Sequence, residues 1–144
     1  MNKKRIESLD GFNHLSEYKV HWSDMDAALH VNNLVYMKWF ESARIEFFDA
    51  LDIDTSFSER EIGLILGWQD CKYLFPVTYP DTIKIGTRIM DVLEDRLVIQ
   101  TAAWSVGHQR ICAIGTQEII PYDYAQLRKA DIPASWIENL KAYI

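Results

Sequence analysis

A chain of 144 residues is long enough for one domain and too short for two, and a globule of that size buries about 70% of the surface its unfolded chain exposes. Hydrophobic residues make up 49% and charged residues 25%, a balance that excludes an intrinsically disordered chain. Twenty-one acidic side chains against fifteen Lys and Arg leave a net charge of −6, so the broad positive footprint of a nucleic-acid binder is missing.

In chain order, Lys3, Lys4 and Arg5 have no apolar segment behind them, and Glu7 and Asp10 interrupt where a secretory signal needs one. Glu17 to Trp22 is rich in strand formers and predicts a first strand. Ser23, Asp24, Asp26, His30, Asn32 and Asn33 then read as a loop of turn and cap residues. A helix is expected from about Leu34 to Leu51, because Tyr36, Phe40, Ala43, Phe47 and Leu51 recur at three- and four-residue steps behind a suitable Asn cap. Val35, Trp39 and Phe48 widen its apolar stripe, so the helix needs extensive cover. Gly63 to Phe75 reads as a strand that Pro76 and Pro80 end. Strands from Thr82 to Leu93, Leu97 to Val106 and Arg110 to Ile120 are separated by the short turns Glu94-Asp95 and Gly107-His108, which makes them antiparallel neighbours. Ala134 to Ala142 predicts a closing helix. These elements imply an α+β fold: one curved antiparallel sheet wrapped around one long central helix, with residues 1–144 as a single domain. Pairing of exposed sheet edges between two copies is a ready route to a homodimer.

Cys71 and Cys112 lie far apart and outside any metal-binding or disulfide spacing, as expected of thiols in a reducing compartment. The longest apolar run, Ile62 to Trp68, is too short to span a bilayer. A cytoplasmic protein without membrane or nucleic-acid partners is therefore expected. No G-x-S-x-G, P-loop, GxGxxG or HExxH is present, which removes the usual support for a serine hydrolase, phosphotransferase, dinucleotide enzyme or zinc protease.

The densest polar cluster, Asp24 to Asn33, sits directly before the long helix. A helix start offers unpaired amide N–H groups and the positive end of its dipole, which can polarise a carbonyl oxygen. A carboxylate beside it can attack the carbonyl carbon or activate water. That pairing suits acyl transfer from a thioester, whose thiolate leaves without proton assistance. The same residues also serve as ordinary caps and loop hydrogen-bond partners. Two Asp with one His make a poor transition-metal set, so neither a metal nor another cofactor is expected.

Trp22-Ser23-Asp24-Met25-Asp26, His30-Val31-Asn32-Asn33, Tyr36 and Phe40-Glu41-Ser42-Ala43-Arg44 together resemble the signature of hotdog-fold acyl-CoA thioesterases of the 4-hydroxybenzoyl-CoA thioesterase group, and that of the plant acyl-acyl-carrier-protein thioesterases. Tyr73-Leu74-Phe75-Pro76-Val77 with Asp81 is similar to a second, weaker family feature. The resemblance implies a hotdog fold and hydrolysis of an acyl-CoA or acyl-carrier-protein thioester. By position, Asp26 matches the catalytic carboxylate and the Asn33 amide the donor to the thioester carbonyl. His30 matches a residue that orients carboxylate or water, while Tyr36 is expected either to pack or to bring its hydroxyl to the substrate. A homodimer or dimer of dimers is implied as well.

Three departures stand out. Leu29 replaces a glycine common before the family histidine, and a branched side chain there would narrow the acyl channel or alter the loop. Ala28 replaces an asparagine of the plant enzymes, and the Glu94-Asp95-Arg96 turn is acidic where some relatives are basic. Two other readings follow: an enoyl-thioester hydratase or dehydratase, and a non-catalytic acyl-CoA-binding dimer with Leu29 filling the thioester position. Asp24 is expected to be a structural acceptor, Glu41 and Arg44 a surface pair, His108 a turn residue, and His14 and His21 incidental.

Overall fold

The computed structural model describes residues 5–53 and 62–143, so Lys3 and Lys4 lie outside the described residues. Among the described residues six strands form one antiparallel sheet. They are β1 (His14–Lys19), β2 (Ile62–Tyr73), β3 (Thr82–Val92), β4 (Leu97–Ser105), β5 (Arg110–Asp123) and β6 (Arg128–Lys129), with helices α1 (Asn33–Ala50) and α2 (Ala134–Leu140). The order is β1-β3-β4-β5-β2, with the short β6 also on β5. The meander β3-β4-β5 follows from its tight turns. The chain crosses to opposite edges to place β1 and β2.

Alternation in the sequence becomes two faces. Ile83, Ile85, Thr87 and Ile89 of β3 and Leu97, Ile99, Thr101, Ala103 and Ser105 of β4 are all buried, at the two-residue period of a strand. Helix α1 crosses this face and divides the core. Tyr36, Trp39, Phe40 and Ala43 pack with Val20, Val77, Ile83 and Ile85. Phe47, Phe48 and Leu51 pack with Ile89, Leu97, Ile99, Ile119 and with Trp136 and Leu140 of α2. Each buried Phe contributes about 1.5–3 kcal/mol relative to an exposed one.

Several expectations are corrected. The helix is not enclosed at the centre of its own sheet: its 18 residues lie on one face, and Glu41, Ser42, Ile45, Glu46 and Asp49 remain exposed. One sheet layer covers only one side of a helix cylinder, and the polar residues of α1 occupy the other. The first strand begins at His14 and ends at Lys19, and Trp22–Asp24 is a 3-10 turn. Strand β5 runs past Pro121 to Asp123, because Pro121 remains in register opposite Leu64 and its carbonyl accepts from the Ala130 amide. The two-residue β6 is too short to leave any periodicity. Arg44 is buried rather than a surface partner of Glu41, and burial lowers its pKa against the pull of the Glu41 charge. Nor is His14 incidental: its ring packs 5.6 Å from that of Phe47, and its Nε2 lies 3.8 Å from Glu46 Oε2. Among the described residues no helix is long and apolar enough to cross a membrane.

Candidate active site

The loop from His21 to Asn32 is closed by its own backbone. Asp24 Oδ2 accepts from the His21 amide at 2.8 Å, and its carbonyl accepts from the Asn32 amide at 2.9 Å. Met25 and Val31 form an antiparallel bridge, and the Asp26 amide donates to the His30 carbonyl at 3.0 Å. The Val31 amide reaches the Val77 carbonyl at 2.8 Å, which ties the loop to the segment after β2. Asp24 is thus the structural acceptor its position suggests.

Within this frame Asp26 is exposed, and its carboxylate is only partly engaged. Oδ1 accepts from the Ala28 amide at 2.9 Å, and among the described residues Oδ2 accepts no hydrogen bond. The turn Asp26–Leu29 that presents it holds Leu29 at φ 63°, in the left-handed region where the family glycine would be unstrained. Leu29 is 70% exposed and does not line the cleft described below. Within this chain its side chain does not reach the cleft, and the left-handed φ bears on the other expectation, an altered loop.

Asn32 caps α1 by accepting from the Leu34 amide at 2.9 Å, and its carbonyl takes the Val35 amide. Among the described residues the Asn33 amide has no acceptor, so the first N–H of the helix is unspent. Asp26, His30, Asn33 and Tyr36, the four residues singled out in the sequence, line one cleft of about 400 Å³ together with Ala28, Val31, Tyr73, Leu74, Phe75 and Pro76. The position of His30 is more modest than expected. Within the chain it engages Asp26 through its carbonyl, whereas the Ala28 amide is what holds the carboxylate.

The cleft wall is aromatic. The Tyr36 ring stands edge-on to Trp39 and to Tyr73, with centroids 5.3 and 5.2 Å apart. Burial raises the Tyr36 phenol pKa, so Tyr36 stays protonated. The Tyr73 hydroxyl donates to the Asn33 carbonyl at 3.1 Å, and burial, with Cys71 beside it, pushes its pKa up to about 12. Both thiols are also raised by burial, Cys112 to about 12, so neither offers a ready thiolate. Tyr73, Leu74 and Phe75 were visible in the sequence only as a weaker family feature. Their signal is an aromatic pair at the end of an edge strand, immediately before a proline. His108 packs its ring 4.7 Å from that of Phe75, so the β4–β5 turn reaches the cleft wall.

A carboxylate with an open oxygen, a helix amide without an acceptor and an aromatic wall in one cleft suit the binding and cleavage of an acyl derivative. The model of the thioesterase-like superfamily matches residues 20–140. The chain belongs to the thioesterase-like superfamily. Membership makes it a thioester hydrolase, and its solved neighbours share its fold. The PA2801 protein from Pseudomonas aeruginosa is 25% identical, with 90% of this chain and 98% of that one covered and a TM-score of 0.80. A predicted thioesterase from Bacillus stearothermophilus is 21% identical, covering 91% and 96%, with a TM-score of 0.82. The DHNA-CoA thioesterase from Staphylococcus aureus is 18% identical, covering 90% and 89%, with a TM-score of 0.78. No curated protein matches the sequence.

Proposed function

We propose that this hydrolase cleaves an acyl-CoA to a carboxylic acid and coenzyme A, with Asp26 and the Asn33 amide as its working parts. The observation that carries the reading is that an uncommitted Asp26 oxygen and an uncommitted helix amide line the same cleft. The thioester carbonyl oxygen accepts from the Asn33 N–H, where the helix dipole favours developing negative charge. The Asp26 carboxylate either removes a proton from a water that attacks the carbonyl carbon, or attacks it directly to give a mixed anhydride that a water then hydrolyses to the free acid and the regenerated carboxylate. The new C–O bond forms, the C–S bond breaks, and the thiolate leaves with the electron pair and is then protonated. His30 flanks the carboxylate, and the Tyr36 ring bounds the acyl side. No step requires a metal or an organic cofactor.

The working unit in this reading is a homodimer or a dimer of dimers. Strand β2 is a long sheet edge whose exposed surface includes Leu66, Trp68 and Tyr73, and Tyr73 is itself a cleft residue. Both cysteines are unpaired, which suits the cytoplasm. The test is thiol release across short, long and aromatic acyl-CoAs for the wild type and Asp26→Asn. Loss of release in a folded Asp26→Asn protein supports the assignment. Equal release by the two proteins overturns it.

A further inference from the structure

Helix α1 lies over two apolar clusters, and a row of polar side chains crosses the sheet between them. On β3, Thr87 separates Ile85 of the first cluster from Ile89 of the second, and on β4 Thr101 separates Ala103 from Ile99. On β5, Gly115 and Gln117 lie between Ala113 and Ile119 in the same way. The register aligns them: His14 of β1 stands opposite Thr87, Thr87 opposite Thr101, and Thr101 opposite Gly115. Thr87, Thr101 and Gln117 are fully buried. Two hydroxyls and an amide in the middle of a core are costly unless each polar atom finds a partner.

The protein meets that demand only in part. Gln117 Nε2 donates to Thr101 Oγ1 at 2.9 Å. The glycine beside it makes room for this bond, because a Cβ at Gly115 would come within 2.8 Å of Gln117 Nε2 and 3.0 Å of the Phe40 ring. Among the described residues, three buried side-chain atoms have no hydrogen-bond partner: His14 Nε2, Thr87 Oγ1 and Gln117 Oε1. All three belong to this one row. His14 Nε2 is 3.8 Å from Glu46 Oε2, too far for a hydrogen bond, and Glu46 already accepts from the Ser16 and Tyr18 hydroxyls. Where the buried stripe of α1 passes from the first cluster to the second, it carries the small Ala43 between Phe40 and Phe47.

We propose that the row is a buried hydration site for two waters, one between His14 and Thr87 and one between Thr87 and the Gln117–Thr101 pair. Side chains directly opposite each other on neighbouring strands stand about 4.5–5.5 Å apart. Two hydrogen bonds of about 2.8 Å span that gap, so one water fits at each step. Water both donates and accepts, and it therefore satisfies the Thr87 hydroxyl, the Gln117 carbonyl oxygen and the imidazole nitrogen in either tautomer. The waters tie the edge strand β1 to β5 through side chains as well as through the backbone ladder. None of these side chains lines the cleft, so the site is separate from the one at the start of α1.

Two measurements test the site. A high-resolution crystal structure of the wild type should show solvent density within hydrogen-bond distance of Thr87 Oγ1 and of both His14 Nε2 and Gln117 Oε1. Thr87→Val then reads the energetics by its sign, since valine keeps the shape and removes the hydroxyl. A dry, unpartnered hydroxyl is a burden, and its replacement by a methyl group raises the melting temperature. A hydroxyl bonded to water loses those bonds instead, and the melting temperature should fall by about 3 °C. Thr87→Ser, which retains the hydroxyl, should keep both waters in its crystal structure. Should Thr87→Val fail to fold, the wild-type and Thr87→Ser structures decide the question. Dry packing around Thr87 and Gln117 in the wild type, or an unchanged or higher melting temperature in Thr87→Val, overturns the proposal.

Discussion

Two loops of this molecule hold an aspartate among backbone amides, and they do opposite things with it. Before β3, Asp81 is saturated: Oδ1 accepts from the Thr82 amide at 2.7 Å and the Gly107 amide at 2.9 Å, and Oδ2 accepts from the Ser105 hydroxyl. It clamps the β4–β5 turn, and a Cβ at Gly107 would come within 3.1 Å of it. Before α1, Asp26 accepts from one amide and keeps its second oxygen open toward a cleft. A carboxylate whose acceptor sites are filled by the protein stabilises the fold. One that is held but not filled remains available to substrate.

The sharpest way to break this contrast is to exchange the consequences. Asp26→Asn retains shape and the acceptor for the Ala28 amide, but removes the charge. It should lower kcat by about a thousandfold with the melting temperature nearly unchanged. Asp81→Ala should do the reverse. It strands the Gly107 amide and the buried Ser105 hydroxyl, and should cost about 3 kcal/mol of stability in denaturant unfolding. Similar activity losses from both substitutions, in proteins that remain equally stable, would erase the distinction between the two loops.

Leu29→Gly sharpens the comparison at the turn that presents Asp26. Relief of the left-handed strain, about 1–2 kcal/mol, is partly offset by the greater chain entropy of glycine, about 0.5–1 kcal/mol. The net expectation is a gain of about 0.5 kcal/mol, read as a slightly higher melting temperature, with hydrolysis retained because Leu29 does not line the cleft. A large fall in activity would show that the leucine helps to position the carboxylate.

The sequence made the helix, the meander and the polar loop legible because each has a short-range signal: an apolar stripe at helical spacing, alternating strands between tight turns, and caps before a helix. Asp26, Asn33 and Tyr36 could be named because the loop and the first helical turn are contiguous in sequence. What stayed hidden depends on pairing across distance. Tyr73 reaches Asn33 across 40 residues, and His108 and Arg110 reach Phe75 from another turn. The sequence marked Leu29 as a departure that would narrow a channel or alter the loop, and only its φ shows that the backbone of the turn is strained. The buried Arg44 read as a surface residue because a charged residue at helical spacing is usually solvated.

The smallest expected effect separates tyrosines that line the cleft from one that supports the helix elsewhere. Tyr73 lines the cleft, whereas Tyr18 donates to Glu46 at 3.0 Å on the β1 side of α1. Both are pushed from 10.0 up to about 12, chiefly by burial, with the Glu46 hydrogen bond and charge adding to the Tyr18 shift. A folded pKa above the unfolded one means that the contribution is fully present below pH 10 and is lost as pH rises through 12. Stability should therefore decline modestly across that interval, and Tyr18→Phe and Tyr73→Phe should each flatten the decline in melting temperature. Only Tyr73→Phe should also change hydrolysis at neutral pH, by a few-fold, because it releases the Asn33 carbonyl beside the reacting group. An equal effect of Tyr18→Phe on hydrolysis would mean that the site extends along α1 to Glu46, and that the cleft at the helix start is not its boundary.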